Sequence, residues 1–275
     1  MTSVAPVRSS RFPRRRPTPK NVLGRITGVA SLLILLELAS RGELIPSQWF
    51  PPITETYARL AELAITGDFW RNVGLTLQGW ASGLAIAIVI GVPVGILIGL
   101  SPHLYRSLRL VIEFLRPIPS VALVPLAVLL WGTGMGTKVF LVGFAAFWPL
   151  LFQALYGVGE VDPVARDTAT AYRLPRMARF WHITLPSAVP FIATGVRISS
   201  SIALILSVVA ELVAGSPGIG REIALSQASL AIPTMYALII AIGLLGWGLN
   251  TALLTLERRV LGWHTPYRPN GGRHT

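Results

Sequence analysis

The chain has 275 residues, 52% of them hydrophobic and 13% charged, with no cysteine. An ordinary soluble domain carries about 25% charged residues, so this chain lacks the polar surface to stay in water, and its mean hydropathy of +0.61 places it in a bilayer. The missing cysteine excludes disulfides, thiolate metal sites and thiol nucleophiles, and the formal charge of +12 raises nucleic acid as a partner until its distribution is read.

The distribution answers against nucleic acid. Arg8, Arg11, Arg14, Arg15, Arg16, Lys20 and Arg25 crowd the N-terminus with no stacking platform beside them. Residues 1–21 therefore read as a basic cytoplasmic tail flanking a membrane helix. The apolar run 22–39 is long for a secretory signal, and Glu37-Leu38-Ala39-Ser40-Arg41 is a poor cleavage site, so it is expected to stay as the first span.

About 20 mostly apolar residues cross a membrane. By that rule the chain is an all-α polytopic membrane protein with about six transmembrane helices, at 22–40, 74–100, 108–131, 138–158, 189–214 and 233–256. Between the first two, 53–66 places Tyr57, Leu60, Ala61 and Ala64 on one face and is expected to be an interfacial helix. With the N-terminus inside, 18 of the 24 Lys and Arg residues fall on the cytoplasmic side and 5, Lys138 among them, outside. Both termini are thus expected in the cytoplasm. The organisation expected is a tail 1–21, a first span with its outer interfacial segment 22–68, a membrane domain 69–260 with a loop at 160–188, and a cytoplasmic tail 261–275.

The spans are irregular. Gly91, Gly95 and Gly99 form a stripe that lets another helix approach, while Pro93, Pro117, Pro119, Pro125 and Pro149 break backbone hydrogen bonds at membrane depth. No enzyme active site is expected. In the run from Gly132 to Lys138, Thr137 stands where a phosphate-binding loop needs glycine. His103, His182, His264 and His274 lie far apart, and no metal site is expected. The ionisable residues inside apolar runs are Glu37, Glu113, Arg116, Arg197 and Glu211, each a functional candidate by its cost. Glu211, near the outer end of the fifth span, reads equally as a solvated end residue.

The loop carries the sharpest pattern. Asp162-Pro163 starts a helix, with Asp as N-cap and Pro at the first position, and Pro175 ends it. Met177, Phe180, Trp181 and Thr184 then recur at i, i+3, i+4 and i+7, an apolar stripe on a second short helix that Pro186 ends. Arg166, Asp167, Arg173, Arg176 and Arg179 form the polar face above it. Helices this short need something to pack against; a docking platform and a pair resting on lipid headgroups both fit the pattern.

These residues resemble the inner-membrane permease subunits of binding-protein-dependent ABC importers. That family's loop reads Glu-Ala-Ala, three residues, Gly, nine residues, Ile-x-Leu-Pro. Asp167-Thr168-Ala169 falls on its start and Ile183-Thr184-Leu185-Pro186 on its end, with Arg173 in place of the glycine. Phe114 to Ser120, Leu123-Val124-Pro125, Gly132-Thr133-Gly134 with Lys138, Val209-Ala210-Glu211-Leu212 and Gly218-Ile219-Gly220 are similar to the nitrate/sulfonate/taurine/bicarbonate subgroup.

The resemblance implies a type-1 transmembrane domain over 69–260, in the bacterial inner membrane, working as a transport subunit. It implies two such chains around a pathway, most simply a homodimer, two ABC ATPase subunits and an extracytoplasmic solute-binding protein. ATP and Mg would sit on the ATPases, with no cofactor on this chain. Arg166, Asp167, Thr168, Ala169, Arg173, Arg176, Phe180, Trp181, Leu185 and Pro186 would form two cytoplasmic coupling helices, with Asp167 touching the ATPase and Phe180, Trp181 and Leu185 packing on the bundle. Arg116, Ser120, Ser199, Ser200, Ser201 and Glu211 are pathway candidates for a small oxyanion or organic sulfonate. The competing class is an ion-coupled carrier or channel, which would place carboxylates near mid-bilayer.

Overall fold

The computed structural model describes residues 19–42, 44, 46 and 49–261. The basic tail up to residue 18 and the tail from 262 onward lie outside these residues. The chain divides into two compact units, 1–57 and 58–275. The first holds α1 (Pro19–Arg41), a 23-residue helix covering the expected first span. Near its end Arg41 Nε donates to Glu37 Oε1 at 2.6 Å, and the same carboxylate accepts from Thr54.

α2 (Ile53–Ala64) follows the expected amphipathic segment, and Arg59 Nε donates to Thr234 Oγ1 at 2.9 Å. The second unit is then built on three long helices: α3 (Gly67–Leu100), α6 (Met135–Gly159) and α9 (Leu185–Ala214). Their shared core is Leu84, Ala87, Val142, Ala146, Leu150 and Ala203. The glycine stripe sets the distance between α3 and α6. A Cβ on Gly91 would stand 3.2 Å from Phe147 O and one on Gly99 3.0 Å from Leu155 O, while one on Gly95 would overlap Leu151 O. Numbers rise together along both helices, so α3 and α6 run parallel. The segment between them must therefore return the length from Gly99 to Gly79, about 30 Å at 1.5 Å per residue, roughly the thickness of a bilayer core.

That return, expected as one irregular span over 108–131, is made of two helices. α4 (Pro102–Leu115) and a second piece, a 3₁₀ turn at Ser120–Leu123 leading into α5 (Val124–Trp131), meet at 80°. Pro117 and Pro119 remove two N–H donors and disfavour helix in the residues before them, so the run breaks between Arg116 and Ser120. Four helices among the described residues are long and apolar enough to cross a membrane, or five with the bent pair counted as one span. The fold is all-helical over the described residues.

Two further departures follow from proline and glycine. α9 is reached without a break: α7 (Pro163–Ala171) stands alone, but α8 (Arg176–Arg179), a π-helical turn at Phe180–Thr184 and α9 form one run of 39 residues, Arg176–Ala214. Pro186 does not end the second loop helix. Its ring would clash with the carbonyl of His182 in a regular turn, and the wider π turn, in which Leu185 N reaches Phe180 O, relieves it. α10 (Ile219–Ala228) is an unexpected short helix before α11 (Ile232–Val260). Arg197, placed near a helix start by the sequence, lies on α9 and faces Glu257 of α11 at 3.5 Å.

Candidate functional site

The loop begins as its sequence dictates. Asp162 caps α7, its Oδ1 accepting from Val164 N at 2.8 Å, and Pro163 occupies the first turn. α7 seats on Ala169, 1% exposed, while Arg166, Asp167 and Thr168 face outward. The Asp167 carboxylate has no hydrogen bond or ion pair among the described residues. Arg173, at the glycine position, has φ of 51°. Leu174 N donates to Ala169 O and Arg173 N to Thr170 O, each at 3.0 Å, so the helix ends in a Schellman motif with arginine as the left-handed residue. The turn places a Cβ in the left-handed region, which costs about 1–2 kcal/mol. Arg173→Gly is expected to raise stability by about 1 kcal/mol, read as a higher Tm in detergent; a lower Tm would show that the arginine stem contributes more than its backbone costs.

The apolar stripe expected beneath the second loop helix is split. Thr184 is buried and Phe180, Leu185 and Pro186 are half-buried, but Met177 is 68% and Trp181 57% exposed. The π turn is the reason: a 3.6-residue period does not carry through a wider turn, so Trp181 is turned outward instead of onto the bundle. Trp181 stands edge-to-face with Phe180 at 5.5 Å between centroids. The outward surface thus holds Arg166, Asp167, Thr168, Arg173, Arg176 and Trp181.

The pathway candidates do not converge. Arg116 is exposed with its guanidinium 4.6 Å over the Phe152 ring, and Ser120 opens the 3₁₀ turn after the bend. Ser199 and Ser200 are buried in helix contacts, Ser199 Oγ donating to Ala146 O at 2.7 Å and Ser200 O accepting from Trp80 Nε1 at 3.0 Å. Ser201 is exposed.

Glu211 is no solvated end residue. It is fully buried and paired with Lys138, also fully buried, at 2.7 Å. Lys138 Nζ also donates to Pro217 O at 2.6 Å and Leu75 O at 3.1 Å, using all three ammonium hydrogens. Glu211 Oε2 accepts from Gly220 N at 2.8 Å and Thr76 Oγ1 at 3.0 Å, and Thr76 Oγ1 accepts from Ile219 N at 3.0 Å. Side chains on Gly79 and Gly218 would overlap the Lys138 stem and the Glu211 carboxylate, and Gly218 has φ of 153° besides. α3, α6, α9, α10 and the 215–218 turn are thereby tied together. Sequence reading placed Lys138 in an outside segment, at the start of a span, without a partner. A cation and an anion at the same end of neighbouring apolar runs was the available signal, since intramembrane charges pair.

Comparison with known proteins fits this fold. A family model described as "Binding-protein-dependent transport system inner membrane component" matches residues 91–261. The chain is 31% identical over 261 residues to the taurine transport system permease protein TauC of Escherichia coli K12, covering 93% of this chain and 95% of that one. It is 29% identical to the nitrate import permease protein NrtB of Synechocystis over 90% and 95% of the two chains. It is also 28% identical to the bicarbonate transport system permease protein CmpB of the same organism over 94% and 99%. Among solved structures, an inward-facing MetNI methionine ABC transporter chain superposes with a TM-score of 0.61 at 19% identity, over 70% of this chain and 95% of that one, which supports the fold. With its bent third segment, its loop and its parallel α3 and α6, the chain belongs to the inner-membrane permeases of binding-protein-dependent ABC importers, in the subgroup of taurine, nitrate and bicarbonate permeases.

Proposed function

We propose that two copies of this chain form the translocation pathway of an ATP-driven importer for a small oxyanion or organic sulfonate. An extracytoplasmic binding protein delivers the solute, and two ABC ATPase subunits in the cytoplasm hold ATP and Mg. In this reading α1 and the bent α4–α5 pair complete six spans, with both ends and the 160–188 loop in the cytoplasm of a bacterial inner membrane. The solute class rests on what taurine, nitrate and bicarbonate share: compact anions carrying oxygen atoms on one centre.

The observation that carries the mechanism is the unbroken run Arg176–Ala214. Its 39 residues span about 58 Å at 1.5 Å per residue, with the loop's outward surface at one end and buried Glu211 at the other. A stiff rod of this kind carries movement of the loop to the outer helix ends. ATPase closure would push on α7 and Trp181, and Asp167 supplies an unpaired carboxylate for a basic group there. Arg116 and Ser201, both exposed, and the half-buried Ser120 are the pathway candidates left to meet solute, whereas Ser199, Ser200 and Glu211 would act by fixing helix contacts.

The test reconstitutes the chain with its ATPase and binding protein in vesicles and measures labelled taurine, nitrate and bicarbonate uptake. Uptake of one of them that requires both ATP and the binding protein is expected. Uptake by the chain alone, driven by an ion gradient, would establish the carrier reading instead.

A further inference from the structure

Two cavities meet at the end of α3 nearest the loop. One, about 610 Å³, has an apolar wall of Ile96, Leu97 and Leu100 and a cationic rim of Arg176 and Arg179. The other, about 350 Å³, lies between Leu100, Val158, Val161 and the guanidinium-bearing residues Arg166 and Arg179. Arg179 lines both. Its Nε is buried with no hydrogen-bond partner, and its Nη2 makes only a long 3.4 Å contact to Thr170 Oγ1. The described residues form five ion pairs, and none of them involves Arg166, Arg176 or Arg179.

A buried guanidinium N–H that no protein group satisfies is set for an external acceptor. The chemistry of the two walls defines that acceptor. The cationic side asks for an anion with several oxygens, which a guanidinium fork matches two at a time. The apolar side asks for hydrocarbon. The depth agrees, because α3 leaves the apolar layer at Leu100, and Leu97 and Leu100 are 58% and 48% exposed. In the six-span reading proposed above, this end of α3 lies at the cytoplasmic headgroup level, on the side where Lys and Arg are in excess and anionic lipids are attracted.

We infer that the cleft between the end of α3 and residues 166–184 binds an anionic phospholipid, whose phosphate sits on Arg179 between Arg166 and Arg176 and whose acyl chain follows Ile96, Leu97 and Leu100. A carboxylate from a neighbouring protein would satisfy the guanidinium but leave the α3 wall uncovered, so the lipid accounts for both sides. Bound there, it bridges α3 to the start of the 39-residue run and makes the seating of the loop depend on membrane composition. This inference is independent of which solute the chain carries.

The test uses the full chain purified in a neutral detergent, mixed with phosphatidylglycerol or phosphatidylcholine, with retained lipid counted by native mass spectrometry. The wild type is expected to retain phosphatidylglycerol over phosphatidylcholine. Arg179→Gln should lower that retention about ten-fold, the scale of one lost charged hydrogen bond, while Arg71→Gln, an exposed arginine at the other end of α3, should leave it unchanged. Millimolar inorganic phosphate should not displace the lipid; if it does, the site takes free anions and the lipid assignment falls. Equal retention of the two lipids, or unchanged retention by Arg179→Gln, overturns the proposal. So does loss of ATPase co-purification in Arg179→Gln with lipid retention intact, which would assign the arginine to a protein contact. Should that variant fail to fold, the wild type decides alone: phosphatidylglycerol must raise its Tm above the value in phosphatidylcholine, and equal Tm values reject the site.

Discussion

Lys138→Met is expected to destabilise the chain by about 3–5 kcal/mol, because it leaves the Glu211 carboxylate buried without its cation. Glu211→Gln should cost a similar amount by stranding the ammonium. The double variant Lys138→Met with Glu211→Gln should be less damaged than either single one. The amide oxygen still accepts from Gly220 N and Thr76 Oγ1, which stand at 2.8 and 3.0 Å, and no charge remains uncompensated. Thermal unfolding in detergent for the four proteins gives the cycle directly, and additive losses in the double variant would refute coupling between the two groups. The pair should thus act as a fastener whose removal in halves is costly, while an uncharged replacement of both partners is tolerated.

The second large effect is expected at the loop. Asp167→Lys combined with Trp181→Ala should abolish uptake, lowering it at least about ten-fold, while the chain still inserts and its ATPase partners still turn over ATP. Both residues face outward, Trp181 at 57% exposure and Asp167 without a partner in the chain. Their loss therefore removes contact surface without opening a cavity, and a large exposed aromatic is the type of residue that dominates interface energetics. Normal ATP-driven uptake by the double variant would sink the coupling role. Loss of insertion would show instead that these residues hold the loop together.

Much of the architecture was legible because a bilayer imposes simple arithmetic. Length and apolarity located the long helices at α3, α6, α9 and α11, and the glycine stripe named the face on which α3 meets another helix. The start of the loop was readable from Asp162-Pro163, since capping acts through nearest neighbours, whereas Pro186, expected to end the second loop helix, sits inside a continuous run. Arg173 showed the limit of such reading. Its position was clear, yet its left-handed backbone was decided by the hydrogen bonds from Leu174 N and Arg173 N that close the end of α7.

What the sequence determined by itself is what depends on local chemistry and on transfer from water to lipid: an all-helical membrane chain, the approximate extents of its long helices, and a structured polar loop of permease type. Tertiary structure alone decided how sharply the proline-broken helices bend and who faces whom. The 80° break between α4 and α5, the π turn that lets Pro186 sit inside a helix and turns Trp181 outward, and the meeting of Lys138 with Glu211 across 73 positions all belong there. Periodicity assumes a uniform turn and says nothing about partners far along the chain. A buried charge is tolerable only when another helix brings its counterion to within hydrogen-bonding distance.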